Sequence, residues 1–346
     1  MLEKLDIRKL SKDELIEQVL ALGEKSFRAK QLYEWIWKKG ETDFNKMSNL
    51  SKEFREILKV HYDIFTIEID KEQRSVDGTI KFRFKLHDDK FIESVLIPVE
   101  KDKRFTVCVS SQVGCSLACK FCATGQMKRM RNLEAAEIFD QVVAVNKICE
   151  QVYGYKLTNI VYMGMGEPLL NYKNTIESIR KISAEDGLGI SPRRITLSTV
   201  GIAKMIKKLS EEGLRVNLAL SLHAADDVKR SEIMPINEQN DLNTLMAAIK
   251  VFYHNNHTKI SFEYIAFKDF NDGIADARKL AKLCSHFPVT INIIEYNPVE
   301  NVTYTKADEQ KIDQFALYLR NKGLMVTLRR SRGKDIDAAC GQLANK

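Results

Sequence analysis

The feature that most constrains this chain is a regular alternation of strand-like and helix-like runs from about residue 105 to the end. Short aliphatic and β-branched runs fall at 105–110, 159–164, 194–199, 216–222, 260–266, 290–296 and 325–330. Stretches of helical periodicity, such as 133–152, 172–185 and 308–322, lie between them. A parallel connection must cross from one end of a sheet to the other, and a helix is the usual way to do it. The pattern therefore predicts an α/β fold with parallel βαβ units over 101–346, as a full or partial barrel or an open doubly wound sheet. In a barrel of this kind the chemistry sits where the strands end.

Two earlier regions differ. Residues 1–60 read as an amphipathic helical domain. Leu15, Ile16, Val19 and Leu20 form one apolar stripe, Leu32, Ile36 and Trp37 begin another, and Ser51 before Glu53 and Phe54 reads as a helix cap. Residues 61–100 read as an antiparallel β extension. Asp77-Gly78 signals a turn, residues 79–86 alternate polar and apolar, and Asp88-Asp89 turns the chain back.

With 44% hydrophobic residues in 346, the chain can bury one large core and a smaller domain beside it. Charged residues at 29% and only 6 prolines exclude a disordered or low-complexity protein. No apolar run approaches the length of a membrane span, and residues 1–10 lack the apolar core of a secretion signal. Both point to a cytoplasmic protein. The net charge of +7 suits nucleic-acid binding and a mildly basic soluble protein equally.

Of the seven cysteines, four crowd into 108–122. In a reducing compartment that clustering points to metal or redox chemistry. Cys115-Ser-Leu-Ala-Cys119-Lys-Phe-Cys122 follows the first predicted strand, on a loop at its C-terminal end. Three thiolates so close suit a soft metal or an iron–sulfur cluster and leave one metal position open; a structural zinc site stays an alternative, though a tetrahedral one normally needs a fourth protein ligand. Cys149 and Cys284 fall on apolar helical stripes and read as core. Taken alone, Cys108 reads as a core strand residue and Cys340 as a packed thiol near the C-terminus.

The spacing Cys-x3-Cys-x2-Cys with Phe121 before the last thiol resembles the radical S-adenosylmethionine superfamily. The match is closer still through Cys108-Val-Ser-Ser-Gln-Val-Gly-Cys115, Met163-Gly-Met-Gly-Glu-Pro168, Ser221-Leu-His223, Tyr296-Asn-Pro298 and Asp335-Ile-Asp-Ala-Ala-Cys-Gly-Gln-Leu343. These resemble the RlmN/Cfr family of radical RNA methylases over essentially the whole chain. The resemblance implies a partial (β/α)6-type radical SAM barrel. It also implies one [4Fe–4S] cluster held by Cys115, Cys119 and Cys122, and two molecules of S-adenosylmethionine consumed per turnover. The product implied is 2-methyladenosine in 23S rRNA and tRNA; the Cfr-type alternative is carbon 8 of the ribosomal adenosine.

Both ring carbons are electrophilic, so a methyl cation has nothing to attack there and the route must use a carbon radical. A thiolate can first accept a methyl group, which then gives up a hydrogen to the cofactor-derived radical. The resemblance assigns methyl carriage to Cys340, release through a disulfide to Cys108, and proton removal from the adduct to Glu93. It assigns cofactor contacts to Gly166, Glu167, Ser198, Ser221, Leu222, His223 and Asn297, all at predicted strand ends. A one-electron donor such as flavodoxin and a monomeric state complete the expectation. For RNA, cations and aromatics interleave at Lys25, Phe27, Arg28, Lys30, Tyr33, Trp35, Trp37, Lys38 and Lys39. The basic run 329–334 beside the reactive tail suits phosphate positioning.

Overall fold

The computed structural model describes residues 4–300 and 302–346. A ten-stranded sheet organises the chain, and its strand order is the chain order. The strands are β1 (Glu68–Arg74), β2 (Ile80–Lys85), β3 (Phe91–Val99), β4 (Arg104–Cys108), β5 (Asn159–Tyr162), β6 (Ile195–Thr199), β7 (Asn217–Ser221), β8 (Ile260–Ala266), β9 (Thr290–Glu295) and β10 (Met325–Arg329). Strands β1 to β4 are antiparallel. From β4 to β10 every pairing is parallel. The barrel half and the antiparallel extension are therefore one continuous sheet, joined where Val95 faces Cys108. The sheet does not close on itself. Its last strand, β10, pairs among the described residues only with β9 and leaves Met325 exposed.

Helices cover the outer face. In the N-terminal region these are α1 (Lys12–Ala21), α2 (Ser26–Tyr33) and α3 (Lys52–His61). The crossovers carry α4 (Ala135–Tyr153), α5 (Tyr172–Ser183), α6 (Ala203–Ser210), α7 (Asp227–Ile233), α8 (Leu242–Asn256), α9 (Ile274–Leu283) and α10 (Glu309–Asn321). Local chemistry sets their starts. Ser11 and Glu14 form a reciprocal capping box, and the Ser51 hydroxyl accepts from the Phe54 amide. Alternation along each strand then divides the two faces. On β8, Phe262 and Tyr264 pack outward on Phe287 and Phe315, while Ser261 and Glu263 stay together on the inner face.

The N-terminal helices dock on the outside of α4 and α5. Trp37 meets Phe139 edge-on at 5.0 Å, and Lys181 reaches Tyr33 Oη at 3.1 Å. Arg8, nearly fully buried, donates to Asp140 at 2.8 and 2.9 Å. Leu15, Val19, Leu32, Ile36 and Trp37 are buried as their spacing predicts, whereas Leu20 is exposed.

Candidate active site

The expected site residues converge on the end of the sheet where the parallel strands finish. Cys115, Cys119 and Cys122 lie on the loop after β4, and a short helical turn over Ala123–Gln126 follows. Burial pushes all three thiols up, Cys115 to about 11, and the charges of Cys115 and Cys122 also bear on Cys119. The three sulfurs are thus neighbours. Yet among the described residues no three His, Cys, Asp or Glu side chains converge tightly enough for a single metal ion. A single tetrahedral ion draws its sulfurs within about 2.3 Å of one centre. Three spaced thiols without a fourth protein ligand fit a cluster with one open iron instead.

The Met163–Pro168 loop packs beside them. Glu167 is buried, and its carboxylate accepts from the Leu169 amide at 2.9 Å and the Val200 amide at 3.0 Å. Burial raises it to about 7, against the lowering effect of those hydrogen bonds. The sequence pattern suggests that the loop glycines leave room for a ligand. In the fold, what approaches them is the chain itself. A Cβ on Gly166, at φ +91°, would stand 2.4 Å from Gln112 Cβ, and one on Gly164 would stand 2.7 Å from Ser110 Oγ. The glycines let this loop lie against the segment that leads to the cysteines.

Ser198 and Ser221 end adjacent strands, with hydroxyls 3.5 Å apart. Leu222 is fully buried. His223 adopts φ +54°, outside the usual range for a residue with a side chain. Its Nδ1 accepts from the Ile265 amide at 3.1 Å, and its ring meets Phe121 edge-on at 4.7 Å. Burial pulls this imidazole down to about 3, so it is neutral and carries its proton on Nε2. Asn297 donates to Ser331 Oγ at 2.9 Å and to the Cys340 carbonyl at 3.5 Å. In this structure it fastens the tail.

That tail brings Cys340 back over the site. The Ala123 amide donates to the Gly341 carbonyl at 2.7 Å, and Thr124 Oγ1 donates to the Leu343 carbonyl at 2.6 Å. Cys340 is exposed, and its thiol is pushed up to about 11 by the crowding around it and then by Cys122. Cys108 is buried and pushed up to about 12, by burial first and by Cys340 next. The two thiols therefore sit within electrostatic reach of each other.

Glu93, which reads from sequence as a solvent-facing strand residue, is fully buried. Its Oε2 accepts from the Ala344 and Asn345 amides at 2.8 and 3.1 Å, and buried Lys81 lies 3.3 Å from Oε1. Partners distant in sequence conceal it there. Sequence reasoning missed Lys81. It also missed Arg230 on α7, and Gln141, whose amide holds Ser110 and Ser94 at the end of β4.

In the basic run, Arg329 pairs with Glu263, Arg330 and Lys334 pair with Glu295, and Arg332 donates to the carbonyls of Asp77 and Pro98. These contacts tie down the tail loop, while the side chains of Arg329, Arg330 and Lys334 stay exposed to solvent. In the N-terminal region Tyr33 and Trp37 are core, while Phe27 is exposed and Lys39 stands 3.3 Å over the Trp35 ring. Cys149 and Cys284 are buried away from the site.

A parallel sheet whose strand ends gather three thiols, a buried carboxylate loop and a returning tail is the arrangement of a radical S-adenosylmethionine enzyme. A family model described as the radical SAM superfamily matches residues 109–284, and one described as the ribosomal RNA large subunit methyltransferase N-terminal domain matches 5–64. A crystal structure of a radical SAM methyltransferase from Sphaerobacter thermophilus superposes with a TM-score of 0.93 at 38% identity, covering 99% of this chain and 100% of that one. Among curated relatives, a "Probable dual-specificity RNA methyltransferase RlmN" of Cytophaga hutchinsonii is 53% identical over 100% of this chain and 94% of its own length. A "Dual-specificity RNA methyltransferase RlmN" of Nautilia profundicola is 42% identical over 98% of each chain. The chain belongs to the RlmN family and is a radical, S-adenosylmethionine-dependent RNA methyltransferase. Family membership carries with it a [4Fe–4S] cluster and S-adenosylmethionine. Among the described residues no helix is long and apolar enough to cross a membrane.

Proposed function

We propose that the chain forms 2-methyladenosine in 23S rRNA and in tRNA, with Cys340 as methyl carrier, Cys108 as resolving thiol and Glu93 as base. The observation that carries this reading is the meeting of Cys108, Cys340 and the cluster loop at one end of the sheet, with Glu93 directly under the tail. Relatives named RlmN favour carbon 2 over the Cfr-type carbon 8.

Cys115, Cys119 and Cys122 hold the cluster in this reading, and Gly166, Glu167, Ser198, Ser221, Leu222, His223 and Asn297 surround the cofactor. When bound, the cluster and S-adenosylmethionine supply a methyl group and, on one-electron cleavage of a second cofactor molecule, a hydrogen-abstracting radical. Cys340 accepts the methyl group as a thiolate, forming a C–S bond as the sulfonium bond breaks. Once a hydrogen has been lost from that methyl, its carbon adds to the ring. Glu93 takes the displaced ring proton. The adduct's unpaired electron would leave to the oxidised cluster, and the Cys108 thiolate then attacks the Cys340 sulfur, so that the S–S bond forms as the S–C bond breaks and the released carbon takes up a proton to become the methyl group. A bound sulfonium's positive charge would offset the crowding that pushes the Cys340 thiol up. The target base must leave its stack to reach this mouth. The exposed aromatics and cations of residues 1–60 are the proposed RNA contacts. An electron donor such as flavodoxin and a monomeric enzyme belong to the same proposal, as does the division into 1–60, 61–100 and 101–346.

The test is mass spectrometry of RNA and protein after anaerobic turnover. Cys340→Ala is expected to abolish 2-methyladenosine while the cluster still forms. Cys108→Ala is expected to accumulate protein covalently joined to RNA. Normal turnover by Cys108→Ala, or 8-methyladenosine as the product, overturns the assignment.

A further inference from the structure

Arg230, on α7, is the largest fully buried side chain of the described residues, and the resemblance gives it no role. All its hydrogen bonds go to neutral acceptors. Nε donates to the Leu222 carbonyl at 3.2 Å, Nη1 to Asn237 Oδ1 at 2.6 Å, and Nη2 to the carbonyls of Ser221, at 3.2 Å, and Val200. Val200 and Ser221–Leu222 stand at the ends of β6 and β7, so one guanidinium ties two adjacent strand ends together. The Val200 amide is the group that holds Glu167 from the other side.

No carboxylate bonds this charge directly. Asp227, in the same helix, acts on it through space but spends its carboxylate on Asn237 Nδ2 and the Leu242 amide, both at 2.9 Å. Arg230 forms no salt bridge with a described residue. Meanwhile α7 packs on the cysteine loop. The Lys120 amide donates to the Ile233 carbonyl at 3.0 Å, and Cys119 shares an apolar cluster with Ile233 and Met234. Burial lowers the guanidinium to about 10, which leaves it charged at neutral pH, and Cys119 is the foremost group acting against that lowering.

A buried cation without a counter-ion is costly, and such a charge is retained where it meets an anion. Here a further anion is supplied when the thiolates hold their cluster. We infer that Arg230 is a positioning residue: it knits the ends of β6 and β7 and sets a positive charge that no carboxylate hydrogen-bonds beside the Cys119 corner, raising the potential at which the cluster accepts its electron. Each reduction adds one electron from a one-electron donor to the cluster and no other charge. A fixed cation within the protein favours that more negative state. This inference rests on the reading that Cys115, Cys119 and Cys122 hold the cluster.

Redox titration followed by electron paramagnetic resonance tests it, alongside iron and sulfide analysis of each protein. Arg230→Gln is expected to load the cluster yet show at least a tenfold lower reduced-to-oxidised ratio at fixed potential, a shift of about 59 mV or more to the negative for one electron. Arg230→Lys keeps the charge and is expected to stay near wild type while binding S-adenosylmethionine more weakly, because one ammonium cannot hold all four acceptors. A cluster-loaded Arg230→Gln with the wild-type midpoint, or an Arg230→Lys shifted as far as Arg230→Gln, overturns the inference. A wild-type protein that binds no cluster instead overturns the reading beneath it.

Discussion

At the scale of single residues, the buried pair of Lys81 and Glu93 decides whether a base can stand under the reactive tail. Their side chains are 2% and 0% exposed. Removing one partner leaves the other charge buried without an opposite, a loss of about 3–5 kcal/mol in comparable cases. Lys81→Met is therefore expected to lower the urea midpoint of unfolding markedly and to weaken methylation as well. An unchanged midpoint would show that the pair is not buried in solution. The protonated state of Cys340 gives a second prediction. A thiol raised to about 11 gains thiolate tenfold per pH unit below that value. In protein without S-adenosylmethionine, alkylation of Cys340, followed by peptide mapping, is expected to speed up about tenfold per unit between roughly pH 7 and 10. A rate that levels off near about pH 8 would contradict the crowding assigned to its sulfur. Glu93 and Cys340 were named through the family motifs, but the Lys81 partner and the burial of Glu93 by the tail were not legible in the sequence. Glu93 sits in an alternating strand whose next residues promise solvent, and the groups that bury it arrive from Lys81 and from residues 344–345. Arg230 likewise reads as an ordinary charge on a short helix. The three cysteines were legible because ligand spacing is a local property.

At the scale of elements, the turn between β1 and β2 clamps the loop that leads to Cys340. Asp77 accepts from the Gly333 amide and the Thr79 amide, both at 2.9 Å, and Asp335 accepts from Ser75 Oγ at 2.5 Å and the Val76 amide at 3.1 Å. Burial raises the Asp77 carboxyl, but its hydrogen bonds from Thr79, Gly333 and Ser75 outweigh that and hold it below its usual range. A carboxylate lowered in the fold stabilises it above the ordinary carboxylate range and loses that contribution as pH falls through the depressed value. The clamp is thus intact at neutral pH. Asp77→Ala is expected to speed amide hydrogen exchange over 333–337 by tenfold or more with the strands unaffected, and to slow methyl transfer. Unchanged exchange there would exclude the clamp. The hairpin itself was legible from Asp77-Gly78 and from the alternation of residues 79–86. Its partner was not, because cations at 329–334 look free until Glu263, Glu295 and the Pro98 carbonyl are brought to them.

At the scale of the whole molecule, one sheet carries both the antiparallel extension and the parallel half-barrel, and strand order equals chain order. That order follows from short connections, which favour pairing of neighbours in sequence. It explains why the run of seven predicted strands translated directly into seven parallel strands. The extension's attachment was less visible, since nothing in the 61–100 pattern says which strand it pairs with. The open edge at β10 lets the tail return across the strand ends, so Cys340, the proposed carrier, comes back to the cysteine loop. The whole mechanism depends on that loop holding a [4Fe–4S] cluster. The most direct measurement is metal analysis with electron paramagnetic resonance on anaerobically prepared protein, beside a variant with Cys115, Cys119 and Cys122 all replaced by Ala. About four irons per chain are expected in the first, with none in the second and no methylation by it. One zinc per chain, or methylation that survives without those three thiols, would contradict the mechanism.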